Sequence, residues 1–404
     1  MAEPRLIYLS NNRLPTEKAH GLQIVQMCEA LADAGYAVTL VAPRRFNTRE
    51  LRGVRSLWVH YGVRRNFAFT RLPCLDLLPL FPRHAIGFLT QTFTYLLAVL
   101  VWLPFQQVDL LYTRDLFVGA ALALLRPRTP LIYEVHQVHH SRLGRWLQGM
   151  LARRAHVVTI TRHLADYMRT LGARRVLVAH DGFRAARFAN LPSRAEARAA
   201  VGWPTDAFIV GWAGRLTMLG VDKGVGVLVE ALREVEGAHL AIVGGPEDMV
   251  EELRARWTAA GLDGARFLAT GQVPPEAVPL YLSACDVCAM PHPWTEQFAY
   301  HTSPLKLFEY MAAGRAVVAS HLPAFAEVLA EGETALFVPP ADARAWAAAI
   351  RRLRDDPALR ERLGTAARQE AQRYTWSARA TAIRTFVEGL VERRAGSRPQ
   401  TPEV

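Results

Sequence analysis

The chain has 404 residues, 51% of them hydrophobic and 21% charged, with a formal net charge of +11. That length exceeds one ordinary core and suits two domains, and the composition excludes a disordered chain. A basic surplus favours anionic partners such as phosphate-bearing small molecules, nucleic acid or an acidic membrane surface. No run of basic residues with interleaved aromatics is present, which argues against nucleic acid.

The first 45 residues read strand ("RLIYLS"), helix over 21–34, a stop at Gly35, then strand ("AVTLVAP"). This βαβ unit predicts a parallel sheet. "MAEPRLIYLS" has no basic region before a long apolar run, so no signal peptide is expected, and a cytoplasmic protein is. Residues 85–105, "AIGFLTQTFTYLLAVLVWLPF", are uncharged and about long enough to span a bilayer at ~20 residues. Thr90, Gln91, Thr92 and Thr94 interrupt them, so a helix buried between domain elements is expected. The alternative is a membrane-touching helix flanked by Arg83 and Trp102.

Further strands follow at 108–113, 130–136 ("PLIYEVH") and 155–161, apolar throughout as in sheets covered on both faces. Polar, Pro-punctuated residues 184–206 read as a linker and hinge. Strand–helix alternation then resumes: "FIVGWAG", helix 224–236, "HLAIVGG", helix 247–260, "RFLATG", helix 275–283 and "DVCAMP". Helix 303–313, "AVVAS", a helix near 323–331 and "ALFVPP" complete it. Residues 341–392 read as mostly helical and 393–404 as a frayed tail. The expected fold class is α/β, with two Rossmann-like parallel-sheet domains at 1–190 and 205–375 facing across a cleft. Cys28, Cys74, Cys285 and Cys288 form no disulfide framework, and the Cys285/Cys288 pair reads as buried strand.

Open parallel sheets bind ligands beyond the carboxyl ends of their strands. Arg215 ends "FIVGWAG", and Lys223 precedes the next helix among Gly220, Gly224 and Gly226. Two cations at such a crossing suit a diphosphate; a solvated loop with incidental charges is the plainer reading. Only three of the 48 basic residues are lysines: Lys18, Lys223 and Lys306. An arginine bias resisted at three places points to a need for a compact ammonium. Helix 303–313 is expected to start at Ser303 with Pro304 in its first turn, leaving the N–H groups of Leu305 and Lys306 for an anion. Glu309, one turn on, is in reach of a ribose. Lys18 follows the first strand and faces the same cleft in this scheme. His136, His139 and His140 lack a paired carboxylate at ligand spacing, so no metal site is expected there.

The motifs "GWAGRL…DKGVGVLVEAL", "AIVGGP", "SPLKLFEYMAAGRAVVAS", "ALFVPP", "PTEKAHGLQIVQMCEALADAGYAVTLV" and "YEVH" resemble those of the family-4 retaining glycosyltransferases, of GT-B fold, over nearly the whole chain. The resemblance implies transfer of a sugar from a nucleotide-sugar, UDP- or GDP-type, with retention at the anomeric carbon. The acceptor would be a glycan, a lipid-linked molecule or a small molecule. No cofactor is implied beyond that substrate, and metal independence fits the missing Asp-x-Asp motif. It implies that Arg215 and Lys223 hold the donor diphosphate, helped by the backbone of Leu305 and Lys306. Glu309 would bind the ribose, Val273 the base, and Gly21 would approach the diphosphate. His136 would lie near the reacting sugar, and helix 376–392 would cross back onto the first domain. No clear nucleophilic carboxylate is present, so a same-face substitution is implied rather than a covalent sugar.

One departure stands out. His301 occupies the place of the first glutamate of the family's E-x7-E motif, and Pro304 that of a frequent glycine. His301 either hydrogen-bonds the donor sugar or that role is lost. The competing readings are a nucleotide-sugar epimerase, a non-catalytic nucleotide-sugar-binding subunit and, from net charge alone, a nucleic-acid binder.

Overall fold

The computed structural model describes residues 3–78, 85–218 and 220–395; Arg83 and the tail beyond 395 lie outside them. The chain forms two compact units, Met1–His180 with Trp376–Val404, and Asp181–Thr375.

The first unit is built on seven parallel strands: β1 (Arg5–Leu9), β2 (Ala37–Pro43), β3 (Ala68–Leu72), β4 (Leu110–Thr113), β5 (Leu131–Val135), β6 (His156–Thr159) and β7 (Val176–Val178). Their order is β3-β2-β1-β4-β5-β6-β7. Order reverses between β1 and β4, the switch point at which such sheets open a crevice. The inner strands are apolar because helices cover both faces; Leu111, Tyr133 and Val157 pack with Leu151 and Leu164.

Residues 85–105 correct the expectation of a buried helix. Helix Ala85–Trp102 forms, but a third of the stretch from Ile86 to Phe105 is buried. Its polar residues face inward: Gln91 Nε2 donates to Asn11 Oδ1 at 2.9 Å, and Asn11 Nδ2 donates to Thr92 Oγ1 at 2.9 Å. Ile86, Leu89, Phe93, Leu97, Val101 and Phe105 face solvent instead. Their three- and four-residue spacing makes one apolar stripe along the helix.

The second unit has six parallel strands, β8 (Phe208–Arg215), β11 (Ala238–Gly245), β12 (Phe267–Gly271), β13 (Val287–Met290), β14 (Ala316–Ser320) and β15 (Ala335–Val338), with a small hairpin of β9 (Thr217–Met218) and β10 (Val221–Asp222). Their order, β12-β11-β8-β13-β14-β15, places the switch point between β8 and β13. Residues 184–206 are not a bare linker. They carry helix Arg194–Val201, closed by a capping box in which Ser193 and Glu196 exchange hydrogen bonds, and they belong to this unit. Expected helices shorten: 224–236 becomes Gly226–Leu232, and 323–331 becomes Pro323–Ala326. Helix 303–313 is Leu305–Ala312, capped by Pro304 in extended conformation. Ser303 therefore lies outside it, and its hydroxyl accepts from the Asp181 N–H at 2.8 Å.

Helix Trp376–Ala395 belongs to the first unit and runs three residues into the expected tail. Its Arg379 is 4% exposed and reaches Glu134, 0% exposed, at 3.2 Å. Arg379 Nε also donates to the carbonyls of Ala179 and His180 at 3.2 and 3.0 Å. Breaking a buried ion pair from one side strands the other charge, at a cost of about 3–5 kcal/mol. Arg379→Met should lower the denaturation midpoint accordingly. Adding Glu134→Gln should recover part of the loss, because no charge is then stranded; unchanged stability in the single variant would contradict the pairing.

Candidate functional site

In the second unit the carboxyl end of β8 is shaped by two close backbone approaches. Gly214 has φ +138°, and a Cβ on Gly244 (φ +136°) would lie 1.9 Å from the Gly214 carbonyl. Only glycine fits there. The Lys306 stem crosses Gly214, so a Cβ on that glycine would meet Lys306 Cγ at 3.6 Å. Tyr310 fixes helix Leu305–Ala312 to the strand: its hydroxyl accepts from the Ala213 N–H at 2.6 Å and donates to the Ala213 carbonyl at 3.2 Å. The first N–H groups of this helix, at Leu305 and Lys306, have no intrahelical acceptor and face a potential anion.

Three cations converge here. Arg215 is exposed at the end of β8. The Lys223 N–H donates to the Leu216 carbonyl at 2.9 Å, and its ammonium lies 6.0 Å from the Trp212 ring centre. Lys306 Nζ donates to Glu309 Oε2 at 2.6 Å. Burial, then Lys306, then Arg215 push the Lys223 pKa down to about 8. One carboxylate against three cations leaves the site short of negative charge. His292 is buried beside Lys223, and burial with that like charge lowers its pKa to about 3, so it is neutral. His301 is also buried; its N–H donates to the Gln297 carbonyl, closing helix Glu296–Tyr300. Val273 sits half-buried past the end of β12, two strands from β8.

In the first unit His136 ends β5 with Nε2 2.5 Å from Glu134 Oε1. The two are i and i+2, hence on one face of the sheet. Glu134 also accepts from Gln23 Nε2 at 2.8 Å and from the Tyr112 hydroxyl, and Arg114 NH1 donates to Gln23 Oε1 at 2.5 Å. Burial alone would raise the Glu134 carboxyl, but Arg379, His136 and Arg114 hold it well below the carboxylate range. His136 therefore rests against a carboxylate held in its ionised form. Lys18 is exposed at the start of helix Ala19–Asp33. Gly21 is buried, and a Cβ there would lie 2.4 Å from the Tyr61 hydroxyl. His139 does not join His136: its N–H donates to Gln148 Oε1 at 2.9 Å. Among the described residues no group of three His, Cys, Asp or Glu is placed to hold a metal ion.

The structure thus gathers Arg215, Lys223, Lys306 and Glu309 at one switch point. Around His136 it adds Glu134, Arg114, Gln23, Tyr112 and Arg379, and around Lys306 it adds Tyr310 and Trp212; none of these was singled out from the sequence. The available signal was a carboxylate inside the apolar strand "PLIYEVH", which burial obliges to find a cation.

Two family models match: Glycosyltransferase Family 4 over residues 21–187 and Glycosyl transferases group 1 over residues 207–356. The chain is 32% identical over 220 residues to a D-inositol 3-phosphate glycosyltransferase of Streptomyces avermitilis, covering 52% of this chain and 45% of that one. It is 33% identical over 256 residues to the lipopolysaccharide core biosynthesis glycosyltransferase LpsD of Rhizobium meliloti, covering 59% and 65%. The chain thus spans roughly half to two-thirds of the length of the curated relatives it matches. The crystal structure of Anabaena HepE in complex with UDP superimposes with a TM-score of 0.71 at 18% identity, over 95% of this chain and 100% of that one.

Lys223 gives a pH signature. With its folded pKa near 8 and an unfolded value of about 10.5, its charging penalises the fold fully below pH 8. The penalty fades as pH rises toward 10.5. A bound diphosphate restores the charge, so affinity for a nucleoside diphosphate should be flat from pH 6.5 to 7.5 and fall by up to about tenfold per unit above pH 8. Calorimetric titration across that range measures it; affinity that rises above pH 8 would exclude Lys223 as a ligand.

Proposed function

This chain belongs to glycosyltransferase family 4, and from that premise we propose that it transfers a sugar from a UDP- or GDP-linked donor to a glycan, lipid-linked or small-molecule acceptor. Retention at the anomeric carbon and independence of metal ions are part of the proposal. The observation that carries it is the convergence of Arg215, Lys223 and Lys306 on the open end of β8, beside a helix N-terminus and Glu309. As the donor C1–O bond breaks, its electron pair goes to the diphosphate. Fixed cations and oriented N–H groups stabilise that charge without a metal. The acceptor oxygen bonds to C1 on the same face, and its proton passes to the departing phosphate oxygen. His136, held by Glu134, orients groups near the sugar. Glu309 leaves Lys306 to accept the ribose hydroxyls.

The UDP in the HepE structure supports a uridine donor, and the relatives named for lipopolysaccharide core and inositol phosphate support a cell-envelope acceptor. The apolar stripe on helix Ala85–Trp102 supports cytoplasmic protein docked peripherally at the inner face of a membrane. Exposed Arg71 and Arg128 lie on neighbouring segments of that unit. His301 favours a second reading, a nucleotide-sugar-binding subunit without catalysis.

Three measurements test these statements. Glu309→Ala should weaken UDP or GDP binding by roughly tenfold or more, as loss of a charged hydrogen-bond acceptor costs about 1.5–3 kcal/mol. Nucleotide binding without any sugar transfer or donor hydrolysis in the wild type would favour the second reading. Phe93→Ser/Leu97→Ser should abolish co-sedimentation with vesicles of anionic phospholipid while leaving nucleotide affinity unchanged; equal sedimentation of both proteins would remove the docking face.

A further inference from the structure

The second unit holds another cluster of cations, at the opposite, amino-terminal edge of its sheet. Asp286 immediately precedes β13 and Arg315 immediately precedes β14, and the next residues, Val287 and Ala316, are register partners. Arg194 NH1 lies 3.0 Å, Arg198 NH2 2.5 Å and Arg360 NH2 4.0 Å from the Asp286 carboxylate. Three arginines therefore surround one buried carboxylate, and Arg315 stands within electrostatic reach of Arg194. The nearest other acid, Glu361, is 75% exposed and 4.0 Å from Arg194.

Their hydrogen bonds are unequally used. Arg198 is fully engaged, with Nε on the Ala284 carbonyl at 2.9 Å and NH1 on the Thr205 carbonyl at 2.6 Å. Asp286 is engaged too, accepting the Ile209 N–H at 2.8 Å. This pair is architecture. Arg360 gives NH1 to the Leu353 carbonyl at 2.8 Å and lies over the Phe208 ring. Arg315, half-buried, has no hydrogen-bond or ion-pair partner among the described residues, and its buried Nε is unsatisfied, as is that of Arg194. An arginine in such a place with no acceptor costs the full desolvation of its N–H groups.

We propose that Arg315, Arg194 and Arg360 form a second anion site, for the phosphate group of a small molecule, separate from the donor site. Guanidinium forks match tetrahedral phosphate oxygens in paired hydrogen bonds, and a phosphate's negative charge offsets part of the surplus left by Asp286. Burial, then the like charge of Arg194, already lowers the Arg315 pKa, which is the repulsion such a ligand relieves. The site stands at the starts of β8, β13 and β14, whereas Arg215 and helix Leu305–Ala312 lie past the ends of β8 and β13. The inference does not depend on the transfer reaction.

The test is calorimetric titration of the full chain with inorganic phosphate and, separately, glycerol phosphate, at constant ionic strength. Wild type, Arg315→Gln, Arg194→Gln and Lys223→Gln/Lys306→Gln are compared. The expected result is binding that survives in the lysine variant and weakens about tenfold or more in each arginine variant, a change of about 1.4 kcal/mol. Tighter glycerol phosphate assigns the site to an ester, and tighter inorganic phosphate to the free ion. Arg194, 30% exposed on its side chain, supplies the result should Arg315→Gln fail to fold. Binding lost only in the lysine variant, unmoved by the arginine variants, or absent at millimolar phosphate overturns the proposal.

Discussion

A carboxylate with no solvent around it organises the first unit. Glu134 sits in a central strand where burial would cost an ionised group several kcal/mol if it were left alone. Arg379, from the far end of the sequence, answers it and also grips the Ala179 and His180 carbonyls, at the point where the chain leaves this unit. The carboxyl-terminal helix thereby supplies the charge that the buried carboxylate of the amino-terminal sheet needs. The same carboxylate orients His136 at the strand's end, so stability and the candidate chemistry share one charge. Gln23, Tyr112 and Arg114 complete the shell and leave the carboxylate few alternative orientations.

The second unit solves the converse problem. Its switch point gathers cations without enough acids to neutralise them, and its backbone is drawn close by Gly214 and Gly244 so that Lys306 can lie flat across β8. Tyr310 holds the helix there with two hydrogen bonds to Ala213. The electrostatic cost of that arrangement shows in the lowered pKa of Lys223, pressed by burial and by Lys306 and Arg215. The arginine cluster at the other edge of the sheet has the same imbalance with less backbone preparation. That difference in preparation is what distinguishes the proposed donor site from the proposed phosphate site.

Much of this was legible in the sequence, for reasons that can be named. Strands such as "AVVAS" and "HLAIVGG" are apolar along their length because both faces are covered, and this exposed the parallel sheets. Arg215, Lys223, Lys306 and Glu309 are legible as candidates because they fall at or just after strand-to-helix crossings. What stayed hidden were partnerships across long separations: nothing local ties Arg379 to Glu134 or Arg315 to Arg194. Helix Ala85–Trp102 was misjudged for a physical reason as well. Its threonines and glutamine read as interruptions of an apolar run, yet Asn11 bonds Gln91 and Thr92 from within, and the apolar side faces outward.

The scarcity of lysine finds its explanation at Lys223. A guanidinium stays charged at every physiological pH, so an arginine there would hold a third permanent cation against Arg215 and Lys306 in a half-buried pocket. A lysine whose pKa is pressed to about 8 is still mostly charged at neutral pH but gives up its proton as pH rises above 8, which an arginine would not do. Above pH 8 the empty site is thus less repulsive than an arginine would make it. Lys306 has a different reason. Its unbranched stem is what crosses Gly214 at van der Waals distance, bringing a compact ammonium to Glu309 at 2.6 Å, where a planar fork would need more room. In a chain that otherwise uses arginine, these two positions keep lysine because one must titrate and the other must fit.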